Sequence, residues 1–193
     1  GRFSYIAIDP FRVLRTDFLE NTNPFDALDR ELSKYNLPRH PNLPPFQTGA
    51  AGILSYEAGR HLEKLPAPVT QGQGFPEMVI GLYDTVAAFD MKDRKAWVLA
   101  SDVADGDANL SKRLPPEIRA KQMAQKINTA PELISPDWTL SGSWFPEVSR
   151  ESYEATLSQV IEYIRAGDIF QANLTQRFLG TLPENLTAFN LYQ

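Results

Sequence analysis

The chain has 193 residues, 42% of them hydrophobic and 22% charged, a composition ordinary for a globular protein long enough to bury a core. A formal net charge of -5 argues against a general binder of nucleic acid or of anionic membrane. The absence of cysteine excludes a disulfide scaffold and a thiolate metal site, and the apolar runs fall far short of the roughly 20 residues of a membrane helix.

Arg2–Ile8 alternates and is rich in β-formers (Phe3, Tyr5, Ile6, Ile8) until Asp9-Pro10 breaks it, which predicts a strand. Phe11–Leu19 continues as a second short strand. Asn23-Pro24 supplies an N-cap and a first-turn proline to a helix whose apolar face is Phe25, Leu28, Leu32 and Tyr35. Leu37–Phe46, with four prolines, reads as an extended, exposed connector. The small residues Gly49, Ala50, Ala51 and Gly52 predict close approach of another backbone. Their spacing fits neither glycine-rich phosphate pattern. Ile53–Tyr56 reads as a buried strand, Glu57–Leu65 as a short helix or turn, and Gln71–Pro76 as a loop.

Met78–Phe89 reads as one long strand, Asp90–Arg94 as a polar turn, and Lys95–Ser101 as the return strand of an antiparallel hairpin. Asp102–Asn109 is acidic but lacks the closing glutamate of a calcium loop, so it reads as solvated. Pro115–Ile127 predicts a surface helix with Ile118, Met123 and Ile127 inward, and Ala130–Pro146 an irregular connection with a short strand before Ser149. Ser149 caps a helix over Arg150–Arg165, stopped by Gly167, with Tyr153, Leu157, Val160, Ile161 and Ile164 on one buried face. The next ten residues alternate. Phe170, Ala172, Leu174 and Phe178 fall on one side, and Gln171, Asn173, Thr175 and Arg177 on the other. That pattern predicts a strand whose amide-rich face meets a polar interior or a ligand cavity. The element order favours an α+β fold with a largely antiparallel sheet. A strand pattern starting at Arg2 and a helix-like pattern still running at Gln193 read as a fragment of a longer protein.

Little in the chain carries chemistry alone. His40 and His61 have no second ligand at metal spacing, and Ser55, Ser141 and Ser143 lack a nucleophile-elbow context. Glu57 and Arg60 make a local helical pair. The best site candidate is the face Gln171, Asn173, Thr175 and Arg177, either as ligand contacts or as a network that pins the strand.

The segment GDIFQANLTQRF at 167–178, preceded by SRESYEATLSQVIEYIRAG at 149–167, resembles the chorismate-utilising enzymes. GRFSYIAIDP at 1–10, PFQTGAAGILSYEAGRHLEKLP at 45–66 and FPEMVIGLYDTVAAFD at 75–90 resemble the same family in the expected order. Within it, the likeness is to component I of aminodeoxychorismate synthase and of anthranilate synthase, and Asn173 with the YEAGR block at 56–60 points to the first. The resemblance implies an N-terminal α+β domain over 1–146 and the start of a chorismate-binding domain over 147–193. It implies cytoplasmic amination of chorismate to 4-amino-4-deoxychorismate, for p-aminobenzoate and folate synthesis. Ammonia would come from a glutamine amidotransferase partner, and Mg2+ would assist. The family's lysine nucleophile, proton-donating glutamate and magnesium ligands fall after residue 193, so no catalytic residue and no metal ligand is assigned here. Gly1, Arg2 and Phe3 match part of a segment that in the family holds a tryptophan molecule, the alternative being that Arg2 and Phe3 serve as the first residues of a sheet strand. Gln171, Asn173, Thr175 and Arg177 become supports of a site whose reacting groups lie elsewhere. Two alternatives are anthranilate synthesis, and a non-catalytic module that binds an amino acid or docks the amidotransferase.

Overall fold

A computed structural model describes residues 1–18, 22–35, 39–65, 74–103, 113–133, 142–184 and 186–193. The fold is α+β, and every strand pairing among the described residues is antiparallel. The chain divides into two compact units, Gly1–Ala130 and Pro131–Gln193.

The first unit holds two three-stranded sheets. One has the order β1 (Phe3–Ala7), β5 (Thr85–Asp90), β6 (Lys95–Ala100). The other has the order β2 (Arg12–Thr16), β4 (Met78–Tyr83), β3 (Gly49–Leu54). The run 78–89, expected as a single strand, therefore divides at Asp84 between the two sheets. Its apolar pattern hides the break because both halves are central strands, buried on either side: Met78, Ile80 and Leu82 in one, Val86, Ala87 and Ala88 in the other. The expected hairpin survives as β5 and β6, closed through Met91–Arg94 with Arg94 at φ 51.

Met78, Ile80 and Leu82 form the core, against which Phe11, Leu14, Leu28, Tyr35 and Ala50 pack. Helix α1 (Pro24–Leu32) starts as its sequence demands, the Asn23 side chain accepting from the Phe25 and Asp26 amides. It ends before Tyr35, and its buried residues are Pro24 at its start and Glu31 (6% exposed), while Leu32 is 37% exposed. Arg12 lies 3.0 Å from Glu31, and Lys34 and Tyr35 donate to it, so a paired charge docks this helix beside the expected apolar contacts of Leu28 and Tyr35. Among the described residues strand β3 has a neighbour on one side alone, and Ile53, Leu54 and Tyr56 are exposed, contrary to the burial expected of them. An apolar run cannot distinguish an edge strand from a central one. Tyr56–His61 is a 3-10 turn. In the proline-rich connector Pro44 is buried, against its expected exposure, while 37–38 lie outside the described residues, as do 71–73 and most of the acidic loop. Helix α2 (Pro116–Asn128) lies on β5 and β6 and buries Met123.

The second unit contains β7 (Phe145–Pro146), α3 (Arg150–Ala166), β8 (Phe178–Leu179) and α4 (Ala188–Tyr192). The ends of α3 are as read: the Ser149 side chain accepts from the Ser152 amide, and Gly167 closes the helix at φ 81. Its apolar face is not buried, since Leu157, Ile161 and Ile164 are 40–43% exposed and none of the helix's residues is buried. The strand expected over 168–178 is also corrected. Only Phe178–Leu179 pairs, with the two residues of β7, and 168–177 is irregular. An extended segment becomes a strand only where a neighbour takes up its amides and carbonyls, and β7 is two residues long.

Candidate functional site

The antiparallel register of β1 on β5 sets Phe3 opposite Asp90 and brings Arg2 to the β5–β6 turn. Asp90 is 3% exposed there. The Arg2 guanidinium donates to both its oxygens (3.1, 3.0 and 2.6 Å) and reaches Asp93 at 3.0 Å, while the amides of Lys92 and Asp93 add 3.0 and 3.1 Å bonds to Asp90. The bond from Arg2 holds the Asp90 carboxyl at about 2, below its ordinary 3.8, and the same bond raises Arg2. A carboxylate depressed by folding stabilises fully above its unfolded pKa and loses that contribution as pH falls through its folded one. Wild-type Tm is therefore expected to drop more steeply between about pH 4 and about pH 2 than that of Arg2→Gln, read by circular dichroism melts. Parallel profiles would contradict this.

From Arg2 a row of rings runs along one face of β1. The guanidinium sits 4.9 Å from the Phe3 centroid, Phe3 is 6.5 Å from Tyr5, and Tyr5 meets Phe46 edge-on at 5.6 Å. The Phe46 amide donates to the Tyr5 hydroxyl at 3.4 Å. Beside this row opens a groove of about 440 Å³, with Tyr5, Phe46 and Tyr83 as aromatic walls and Ala7, Ala50, Ala51 and Gly52 as small-residue walls. A Cβ at Gly81 would stand 2.8 Å from the Tyr83 ring, so that glycine makes room for the wall. Aromatic walls beside small residues suit a planar apolar group. Arg2 and Phe3 were singled out by the resemblance. Phe46 and Tyr83 were not, one lying in a proline-rich connector and the other inside a strand, and the alternation Phe3, Tyr5, Ala7 was the one available hint.

The other candidate residues sit in the open. Gln171, Asn173 and Thr175 are exposed, as is Phe170 at 91%. Arg177 forks onto Glu147 at 2.6 and 2.7 Å beside the β7–β8 pair, and the Tyr153 hydroxyl donates to the Leu174 carbonyl at 3.4 Å. Among the described residues of this unit no strand partner pairs with 168–177.

His61 lies 2.7 Å from Oε1 of Glu77, a carboxylate 1% exposed. His40 brackets Gln47 through its backbone, and Glu57 and Arg60 form the expected pair. Ser55 is half-buried, Ser143 exposed, and Ser141 outside the described residues. Among the described residues no three His, Cys, Asp or Glu side chains gather as a metal site. None of their helices is long and apolar enough to cross a membrane.

Comparison with known proteins adds to this geometry. The family model for chorismate binding enzymes matches residues 1–193. Aminodeoxychorismate synthase component 1 of Klebsiella aerogenes is 32% identical over 161 residues, 82% of this chain and 32% of that protein. Anthranilate synthase component 1 of Saccharomyces cerevisiae is 27% identical over 202 residues, 100% of this chain and 39% of that protein. The crystal structure of anthranilate synthase component I from Streptococcus pneumoniae TIGR4 matches with a TM-score of 0.74 at 25% identity, over 100% of this chain and 44% of that one. The chain thus spans about a third of the length of the curated relatives it matches.

Proposed function

The chain belongs to the chorismate-binding enzyme family, and from that premise we propose that it is the N-terminal part of an aminodeoxychorismate synthase component I. The complete protein would aminate chorismate to 4-amino-4-deoxychorismate in the cytoplasm, with ammonia from a glutamine amidotransferase and with Mg2+ held by carboxylates outside 1–193. The observation that carries this reading is the whole-chain family match, sharpened by 32% identity to a protein of that name. Residues 1–146 would act as framework and effector domain. Residues 147–193 would open the chorismate-binding domain, with Gln171, Asn173, Thr175 and Arg177 supporting a site built largely by later residues. Gly1, Arg2 and Phe3 would contribute to a tryptophan site, and the aromatic row beside them supports that assignment.

A second reading, anthranilate synthase component I, draws support from the solved anthranilate synthase that covers this chain fully. The full-length protein with chorismate, ammonium and magnesium separates the two. The first reading expects 4-amino-4-deoxychorismate, trapped as p-aminobenzoate by an added lyase, and the 193 residues alone are expected to release nothing. Fluorescent anthranilate would replace the first reading with the second. No product of either kind, alongside saturable tryptophan binding, would leave a non-catalytic module.

A further inference from the structure

We draw no further inference here: the strongest candidate, the edge of β3 left unpaired among the described residues with Ile53, Leu54 and Tyr56 exposed beside it, carries no proposal because nothing in the structure shows what covers it.

Discussion

Asp84→Ala is expected to destabilise the protein by about 3–5 kcal/mol, the usual result of removing one partner from a buried ion pair. The side chain is 1% exposed and faces both Arg113 and Arg119. Without it both guanidiniums lose this carboxylate, and Arg119 keeps its bonds to the Leu114, Asp84 and Ser101 carbonyls and the Thr85 hydroxyl. The loss spreads beyond one contact, because Asp84 is where the two sheets exchange a strand and where Arg119 fastens α2. With a denaturant slope of about 2–3 kcal/mol/M, the urea midpoint should fall by about 1–2 M. The charge-relieved double variant Asp84→Asn/Arg113→Gln should recover part of that drop, since removing both partners leaves less uncompensated charge. A midpoint within error of wild type would show that the cluster carries little of the fold.

Gly52→Ala is expected to cost about 3 kcal/mol, at or beyond the upper end for overpacking. A Cβ there would lie 2.8 Å from the Cα of Ile80 and closer still to the Val79 carbonyl oxygen. Both obstacles are backbone of β4, the central strand of the sheet, so no rotamer change relieves the clash. The edge strand β3 must lift off, and hydrogen exchange at its amides should accelerate while those of β5 and β6 keep their protection. Gly59→Ala is the control, because nothing lies within 4 Å of a Cβ at that position. It should leave stability within about 1 kcal/mol of wild type. Equal effects at the two glycines would refute the packing argument.

Gly52 also shows what local sequence can report. A glycine among small residues between apolar runs implies that another backbone comes close, and that requirement holds whatever the topology. The same is true of Asn23-Pro24, of Ser149 and of Gly167, whose functions at helix ends are complete within four residues. Helix α1 marks the limit. Its start was legible, yet Glu31, like Pro24, is buried, and its burial depends on Arg12 in a separate strand.

The sequence by itself determined the α+β class, the element order, the helix caps, the β5–β6 hairpin and, through four blocks in order, the family. Tertiary structure alone decided that 78–90 serves two sheets, that β3 is an edge, that 168–177 forms no strand, that Arg2 and Asp84 find charged partners far along the chain, and that Glu77 meets His61. The division has one physical cause. Caps and turns are satisfied by neighbours in sequence, whereas strand pairing and buried charge are satisfied by partners that only the folded chain brings near.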